Sequence, residues 1–340
     1  MNKRVTLADV AAHAGVSRAT ASLVVRDAGS LSESTRERVR SSMQALGYVY
    51  HRGAASLRAS QTKTVGLILP DPGYTFMGEF TIGLESVLGD RGLLLLTANA
   101  FEDPARQDRL LQAMTENQVD GLVVIPALGT SLAFAERLER TGIPTVVATR
   151  AEAADLSTYV GIDNVLGGRL AGEHLLWHGA RSFVYLGGLA GLRPRVDRLA
   201  GLKKALAAVR GARLVAERTG PALGRWAREA AAELFRTEPL PDAIVCHNDS
   251  VAFGVYRALR DVAPEAVDRM RVVSFDDVDE AALWEPPISS VAANGREVGQ
   301  QTAAALLRLM DAPDADREVV LLRPELVARR SCGCAGPAGG

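Results

Sequence analysis

Residues 5–25, VTLADVAAHAGVSRATASLVV, decide the fold of the N-terminal part of this chain. Thr6 can cap a first helix and Ser17 a second one, because each hydroxyl can accept a hydrogen bond from a free backbone N–H. Gly15 between them supplies the permissive backbone of a tight turn. The apolar positions recur with helical spacing on both sides of that turn: Leu7, Val10, Ala11, Ala14, Ala21, Val24 and Val25. The stretch predicts a helix-turn-helix whose second helix enters the major groove of DNA, with an ordinary helical hairpin as the alternative.

The charges of the chain are unevenly distributed. The 340 residues carry a formal net charge of −1, but residues 1–63 hold ten basic and four acidic side chains, a net +6. The rest of the chain therefore carries −7. The basic side chains alternate with apolar positions instead of forming one block, which argues against a solvated basic tail. A basic module on an acidic body is typical of nucleic-acid binding, because attraction to phosphates supplies much of the affinity.

Composition excludes several other classes of protein. At 47% hydrophobic, the chain can bury substantial cores, and its length suggests two or three domains. No stretch approaches the ~20 apolar residues of a membrane span, and no signal peptide opens the chain, so we expect a cytoplasmic protein. Cys246 lies in an apolar run and is predicted to be a core residue. Cys332 and Cys334 form a lone Cys-Gly-Cys with no second ligand pair at zinc-site spacing, so neither a metal nor a cofactor is predicted.

A third helix and a linker follow the opening motif. Ser32 can cap this helix, Val39, Met43 and Leu46 mark its apolar side, and Gly47 ends it. Residues 51–63 are predicted to be a linker with a marginal hinge helix, because one internal glycine costs such a helix about 1 kcal/mol relative to alanine.

From residue 64 onward, strands alternate with amphipathic helices. The predicted strands are Val65–Pro70, Leu93–Ala98, Gly121–Pro126, Pro144–Thr149, Tyr159–Ile162, Phe183–Gly187, Leu214–Ala216, Ala243–His247 and Met270–Phe275. The predicted helices are Phe80–Asp90, Pro104–Asn117, Leu132–Arg140, Val165–His178, Val196–Val209, Gly224–Phe235 and Ser250–Arg260. Such repeated units predict an α/β fold with two doubly wound parallel-sheet subdomains. A ligand is expected in the cleft between them, at the carboxyl ends of the strands.

The chain resembles the LacI/GalR family of bacterial transcription regulators, whose effector domain is periplasmic-binding-protein-like. The resemblance extends from about Val5 to Ser331. It is carried by the opening motif, the third helix and the linker up to Leu57. Further pieces lie in the body: RLAG at 198–201, HND at 247–249, SFDD at 274–277 and PPISSV at 286–291.

With this family as a guide, we predict four regions. Residues 1–50 form the DNA-binding domain and residues 51–63 the hinge helix and linker. Residues 64–331 form the effector-binding and dimerisation domain. Its N-subdomain covers about 64–162 and 292–320, and its C-subdomain about 163–291 and 321–331. Residues 332–340 are expected to be a flexible tail.

The resemblance implies roles for residues of the head. Arg18, Ala19 and Leu23 fall where the family reads bases, and an arginine can pair bidentately with guanine. Hydroxyl groups meet phosphates at Ser17, Thr20 and Ser22. Leu57 falls where the family inserts a leucine into the minor groove and kinks the DNA. Some members carry an arginine at the position of Leu23, so no operator sequence is inherited. The predicted interface also includes Thr6, Arg52 and Ala54.

For the body, the resemblance points to Arg198, Asn248 and Asp276 as the polar ring that grips an effector. The strand pattern agrees for two of them, because Asn248 and Asp276 follow predicted strands at the cleft mouth. Helix capping is the alternative for Asp276 and for Asp277, and a solvated charge is the alternative for Arg198. The predicted effector site also contains Asp71, Phe76, Thr149 and Trp284. Trp284 could stack on a sugar ring or simply pack in the core.

Together these patterns predict a sequence-specific DNA-binding regulator, most simply a repressor, that works as a homodimer on a palindromic site. A sugar or sugar phosphate is the expected effector and a nucleobase the alternative. Two rivals are a stand-alone solute-binding protein and an enzyme on a doubly wound fold. We find no phosphate-binding loop and no nucleophile elbow in the sequence. The glycine cluster at 187–191 is followed by Pro194, which is expected to interrupt the helix start that a dinucleotide site requires.

Overall fold

In a computed structural model, the protein is described over residues 5–25, 27–49, 62–150, 157–292, 294–313 and 315–334. The chain forms two compact units, residues 1–62 and residues 63–340. No helix among the described residues is both long and apolar enough to span a membrane.

The first unit contains three helices: α1 (Leu7–Ala14), α2 (Arg18–Val25) and α3 (Glu33–Leu46). Gly15 ends α1 in the left-handed conformation at φ 64°, and Gly47 ends α3 in the same way at φ 63°. Ser32 caps α3 by accepting a hydrogen bond from the Thr35 N–H. One small core holds the helices together, made of Val10, Ala11, Ala14, Ala21, Val24 and Val39. The caps and most of the predicted core positions agree with this structure, but Val25 is half-buried and lies outside the core cluster.

The second unit contains two six-stranded sheets. The first has the order β11-β5-β4-β3-β1-β2 and is parallel throughout. The second has the order β12-β10-β9-β8-β6-β7, and only β12 runs antiparallel to its neighbour. The strands are β1 (Thr64–Leu69), β2 (Leu94–Asn99), β3 (Gly121–Val124), β4 (Thr145–Ala148), β5 (Thr158–Ile162), β6 (Ser182–Leu186), β7 (Arg213–Arg218), β8 (Ala243–Cys246), β9 (Arg271–Phe275), β10 (Ser289–Ala292), β11 (Val319–Leu322) and β12 (Glu325–Val327).

Helices cover the faces of both sheets. They are α4 (Thr75–Asp90), α5 (Pro104–Glu116), α6 (Leu132–Arg140), α7 (Asn164–Trp177), α8 (Arg193–Ala207), α9 (Gly224–Thr237), α10 (Asp249–Val262), α11 (Asp279–Leu283) and α12 (Gly295–Asp311). The inner strands are buried, the edge strands β2, β7, β11 and β12 are partly exposed, and two hydrophobic clusters flank each sheet. This is the doubly wound arrangement that the sequence predicts.

The predicted strands are confirmed to within two residues at each end, but the sequence pattern missed β10, β11 and β12. These strands are only three or four residues long, and β11 pairs with β5, about 160 residues earlier in the chain. Because β11 pairs with β5, the last crossing between the sheets falls at residues 323–324, a few residues beyond the predicted 320. Pro194 does not interrupt its helix: it lies in the first turn of α8, where its missing N–H has no partner to lose.

The end of the chain also departs from expectation. Residues 330–332 form a 3-10 helix, and Cys332 is fully buried. The tail predicted to begin at residue 332 is therefore packed at least as far as Cys334, because two helix histidines contact these cysteines. Cys246 is buried in the core of the second sheet, as predicted.

Candidate DNA-binding surface and effector cavity

The start of α2 forms the candidate DNA-binding surface. The Ser17 hydroxyl accepts a hydrogen bond from the Thr20 N–H at 3.0 Å, and the two hydroxyl oxygens lie 2.9 Å apart. Ser17, Arg18 and Ala19 are exposed, and Thr20 is half-buried. A helix N-terminus carries partial positive charge, so hydroxyls and an arginine at this end suit a phosphate-lined groove.

Three other predicted DNA contacts have local partners in the head. Ser22 is half-buried, and so is Leu23, which lies against Gly29. Thr6 is exposed and closes a capping box: its N–H donates to the Asp9 carboxylate at 2.8 Å, and its hydroxyl accepts from the Asp9 N–H at 3.4 Å. Thr6 therefore stabilises the start of α1 in addition to any DNA contact. Arg52, Ala54 and Leu57 lie outside the described residues.

A cavity of about 670 Å³, measured to its open mouth, lies between the carboxyl ends of the two sheets. Both subdomains contribute to its wall. The polar lining residues are Tyr74, Thr149, Arg150, Asn164, Arg198, His247, Asn248 and Asp276, and the apolar ones include Phe76, Met77, Ile162, Leu189, Leu192 and Pro194. This position agrees with the rule that open α/β sheets bind ligands beyond the carboxyl ends of their strands.

Arg198 is the central polar group of the cavity. It belongs to α8, and its side chain is only 8% exposed. Its Nε donates to the Asn164 amide oxygen at 2.8 Å, and its Nη1 donates to the His247 carbonyl oxygen at 2.5 Å. The guanidinium also lies 4.2 Å from the centre of the Phe275 ring. These contacts fix the guanidinium, so Arg198 is not the solvated helix-start charge of the alternative interpretation.

Asp276 faces Arg198 from the loop after β9. The two side chains approach to 3.8 Å between Arg198 Nη2 and an Asp276 carboxylate oxygen, which is an ion pair but too long for a hydrogen bond. Burial raises the pKa of Asp276, and the Arg198 charge opposes that rise. The backbone of Asp276 has φ 100°, a conformation that L-residues rarely adopt. Capping does not explain Asp276 or Asp277, because α11 begins at Asp279 and Val278 precedes it.

The amide of Asn248 has local partners inside the cavity wall. Its oxygen accepts from the Val251 N–H at 3.0 Å, which caps α10, and its nitrogen donates to the Ala222 carbonyl at 3.3 Å. The neighbouring His247 is buried. Burial and three nearby arginines hold the pKa of His247 well below its usual range, so the imidazole is neutral at pH 7. Its Nδ1 lies 3.2 Å from the Tyr185 hydroxyl.

The N-subdomain supplies the opposite wall. Phe76 and Thr149 line the cavity as predicted, and Thr149 follows β4 with φ 59°. Arg150 beside it forms a bidentate pair with the Glu102 carboxylate, at 2.8 and 2.9 Å. Burial alone would raise the pKa of Glu102, but the hydrogen bonds and charge of Arg150 lower it below its ordinary value. The Arg150 charge is therefore balanced within the wall.

Two predicted effector residues do not line this cavity. The Asp71 carboxylate accepts a hydrogen bond from the Gly73 N–H at 2.8 Å and stabilises the loop after β1. Trp284 stacks on Phe253 with ring centres 4.5 Å apart and packs against the core of the second sheet. The packing alternative therefore describes Trp284, because its ring is covered by other side chains of the same subdomain.

Sequence reasoning missed Tyr74, Arg150, Asn164 and His247 as lining residues. A signal for three of them was present. Arg150, Asn164 and His247 each follow a strand by one or two residues, so they lie at the carboxyl end of a sheet. The rule that selected Asp276 would have selected these three as well.

Comparison with known proteins agrees with this geometry. Residues 6–50 match the model of bacterial regulatory proteins of the lacI family, and residues 173–332 match that of the periplasmic binding protein-like domain. The maltose regulon regulatory protein MalI of Escherichia coli (strain K12) is 29% identical over 340 residues, covering 96% of this chain and 99% of that protein.

Two solved structures are similar along nearly the whole chain. The lac repressor dimer bound to operator and the anti-inducer ONPF is 25% identical, with a TM-score of 0.88, covering 97% of this chain and 99% of that one. A complex of the transcriptional regulator CelR with cellobiose is 28% identical, with a TM-score of 0.71, covering 96% of this chain and all of that one.

The head, the cavity and these matches together define a DNA-binding transcriptional regulator with an effector-binding domain, not an enzyme. The head carries the DNA-binding domain of the lacI family of bacterial regulatory proteins, and the effector domain is periplasmic-binding-protein-like.

Proposed function

We propose that this protein is a cytoplasmic repressor that binds a palindromic DNA site as a homodimer, and that a small neutral sugar bound in the cavity controls its affinity for DNA. The observation that carries the effector part is the buried pair of Arg198 and Asp276, which face each other across 3.8 Å without a hydrogen bond. A sugar hydroxyl can donate to the carboxylate and accept from the guanidinium, so it satisfies both groups at once.

The charges of the cavity support a neutral ligand over a sugar phosphate. Arg150 is paired with Glu102, and Arg198 faces Asp276 and is held by Asn164 and the His247 carbonyl. His247 is neutral. A phosphate would require a cation whose charge is not already balanced. Among the described lining residues, each arginine already lies beside a carboxylate.

The apolar part of the wall supports a ring-shaped ligand. Phe76, Leu189 and Leu192 line the cavity beside Tyr74. Burial raises the pKa of Tyr74, so its hydroxyl is neutral and can act as donor or acceptor. Sugar rings present C–H groups on one face and hydroxyls around the rim. An aromatic and aliphatic wall beside a polar pair therefore suits that pattern.

The symmetry of binding follows from the size of the head. One three-helix head reads only a half-site, and a two-fold protein matches a DNA site with the same symmetry. The similar lac repressor structure is a dimer bound to operator, which supports the same arrangement for this chain.

A thermal-shift screen tests the effector. Purified protein is heated with panels of neutral mono- and disaccharides, sugar phosphates and nucleobases. A ligand at 100 times its Kd stabilises the folded state by about 2.7 kcal/mol. We expect a shift with a neutral sugar, with binding then confirmed by calorimetry. A shift confined to sugar phosphates or to nucleobases would contradict the proposed ligand class.

DNA binding is tested separately, by selecting bound sequences from a random duplex library with the full-length protein. We expect an enriched palindrome and two protein chains per duplex. Arg18→Ala should lose most of the enrichment, because an arginine–guanine pair contributes about 1–3 kcal/mol of discrimination. Enrichment without two-fold symmetry, or one chain per duplex, would overturn the dimer.

A further inference from the structure

Two histidines and two cysteines from distant parts of the chain meet at the surface of the second subdomain. His174 and His178 lie one turn apart near the end of α7, and Cys332 and Cys334 lie in and just after the last 3-10 helix. His174 Nε2 is 3.1 Å from Cys332 Sγ and 3.7 Å from Cys334 Sγ, and His178 Nε2 is 3.2 Å from Cys334 Sγ. Ligand atoms of the four side chains all lie within 4.8 Å of one another. The missing second ligand pair of the Cys-Gly-Cys is therefore present.

This geometry is close to that of a tetrahedral metal site. With Zn–N bonds of 2.0–2.1 Å and Zn–S bonds of 2.3 Å, the ligand atoms around zinc lie about 3.3–3.8 Å apart. The measured separations bracket this range, so sub-ångström side-chain movements would admit the ion. Both cysteines are free thiols, and two thiolates with two imidazoles make a neutral site around a divalent ion.

The surrounding backbone holds the two sulfur atoms in place. Gly333 between the cysteines has φ 95°, a conformation that glycine adopts without strain, and it turns Cys334 back toward the helix. The Ser331 hydroxyl donates to the Val272 carbonyl and accepts from the Ser289 N–H, both at 2.7 Å. The segment carrying the ligands is thus bonded to β9 and β10 before any ion binds.

A buried donor beside the cluster has no partner among the described residues. Arg271 Nε is buried and unbonded, and it lies beside Gly333. An N–H group next to a metal-bound thiolate is a common outer-shell partner, because it stabilises the charge on sulfur. Cys334 and both histidines are half-buried, so an ion can enter from solvent.

We propose that His174, His178, Cys332 and Cys334 bind one structural Zn²⁺ ion, which fastens the end of the chain to α7. Four protein ligands leave no open coordination position, so the ion holds structure and does no chemistry. Binding releases the two thiol protons to solvent. One of them, on Cys332, otherwise donates to the Arg329 carbonyl at 3.1 Å.

Metal content tests the proposal directly. The full-length protein is purified under reducing conditions without chelator, and its zinc is measured by mass spectrometry. We expect about one Zn²⁺ per chain in the wild type and less than about a tenth of that in Cys334→Ser and His178→Gln. Cys246→Ala and His13→Gln remove one cysteine and one histidine elsewhere and should retain the ion.

Two further readouts do not depend on purification history. Protein stripped of metal is titrated with Co²⁺, and the wild type should develop the visible bands and sulfur charge-transfer absorption of a tetrahedral thiolate site. In competition with a chromophoric chelator, Cys334→Ser and His178→Gln should bind Zn²⁺ at least about 100-fold more weakly than the wild type. A strong chelator should lower the Tm of the wild type and leave that of the two variants unchanged.

Three results would overturn the site. They are no Zn²⁺ affinity in the reduced wild type, equal metal content in wild type and ligand variants, or a Cys332–Cys334 disulfide whose reduction gives no zinc binding. The two ligand variants are checked by circular dichroism, so that a loss of metal is not confused with a loss of fold.

Discussion

The guanidinium group of Arg198 makes three polar contacts in the wall of the cavity. Its Nε holds Asn164 at the start of α7, its Nη1 holds the His247 carbonyl after β8, and its Nη2 faces Asp276. A buried guanidinium fixed in this way is a preorganised donor. A ligand that completes its contacts therefore does not have to order the side chain first.

At this site we expect Arg198→Ala and Asp276→Asn to abolish the response to ligand and to leave DNA binding within about twofold of wild type. Buried hydrogen bonds to charged groups contribute about 1.5–3 kcal/mol each, so ligand affinity should fall at least about tenfold. Calorimetry and fluorescence anisotropy measure the two affinities. Arg193→Ala is the matched control, since Arg193 lies on the same helix, pairs with Asp197 and does not belong to the lining of the cavity. Unchanged ligand affinity in either cavity variant would remove that residue from the site.

Asp249 shows a different use of a buried carboxyl. It begins α10 and accepts hydrogen bonds from the Ser274 and Ser290 hydroxyls and, at 2.9 Å, from the Val278 N–H. Burial, with the nearby charge of Asp276, nevertheless raises the pKa of Asp249 from its ordinary 3.8 to about 7. The folded state therefore binds a proton that the unfolded state has lost between these two values.

The sign of the pH effect follows from that difference. Because the folded state holds more protons, the free energy of unfolding should fall as the pH rises from about 4 to about 7, and this contribution should level off above the folded pKa. Urea titrations across this range measure the fall. Asp249→Asn keeps the size of the side chain and cannot ionise, so its stability should depend less on pH. An identical pH profile in the variant would contradict the role of Asp249.

At the scale of elements, three helix pairs meet through glycine. A Cβ atom on Gly168 of α7 would lie 1.8 Å from the Arg198 carbonyl oxygen of α8, and one on Gly201 of α8 would lie 2.0 Å from the Val165 carbonyl oxygen of α7. The pairs α4–α12 and α9–α10 show the same contact at Gly299 and Gly254. The backbones touch at these crossings, so the position of Arg198 depends on the absence of a side chain at Gly168.

Gly168→Ala should therefore separate α7 from α8, lower the Tm by at least about 2 °C and weaken ligand binding, because overpacking a close crossing costs about 1–3 kcal/mol. Gly78→Ala is the matched control. Gly78 also lies in a helix, but a Cβ there meets nothing within 4 Å. This control should be neutral or more stable by up to about 1 kcal/mol. Equal melting temperatures for the two variants would show that the crossing tolerates a methyl group.

At the scale of the whole molecule, charge is divided between the two units. The head and linker carry +6 and the remainder −7, so the effector domain as a whole does not attract DNA. Affinity for DNA therefore depends on the phosphate contacts of the head.

We expect DNA affinity to fall at least about tenfold between about 50 and about 200 mM salt, because counterions released from the duplex make binding salt-dependent. Anisotropy titrations at several salt concentrations give the slope. Ligand affinity, measured by calorimetry in the same buffers, is the control and should change little, because the Arg198–Asp276 pair is buried. A DNA affinity that does not change with salt concentration would mean that phosphate contacts do not dominate the binding free energy.

Much of this architecture is readable from the sequence, and the limits have physical causes. The head is predictable because its capping residues, left-handed glycines and apolar spacing all act within a few neighbouring residues. Asp276 and Thr149 are predictable because they follow strands. The short strand β11 is not, since its place beside β5 depends on pairing with residues about 160 positions away.

The metal ligands show the same limit more sharply. His174 and His178 have the spacing of one helical turn, but the cysteines that complete the set come 154–160 residues later. Only the path of the folded chain brings the two pairs together. Asp71 shows the opposite case. It follows β1, as the rule requires, but its carboxylate accepts a hydrogen bond from the Gly73 N–H in the turn, and Asp71 does not line the cavity.

The three crossings between the sheets have a consequence for how this protein is made on the ribosome. The first sheet begins at residue 64, but its edge strand β11 is not synthesised until residues 319–322, and β12 of the second sheet follows at 325–327. Until those residues are made, β5 and β10 are edge strands of incomplete sheets. Strands of neighbouring nascent chains can pair with such uncovered edges. Because only two residues separate β11 from β12, the two sheets receive their last strands almost together.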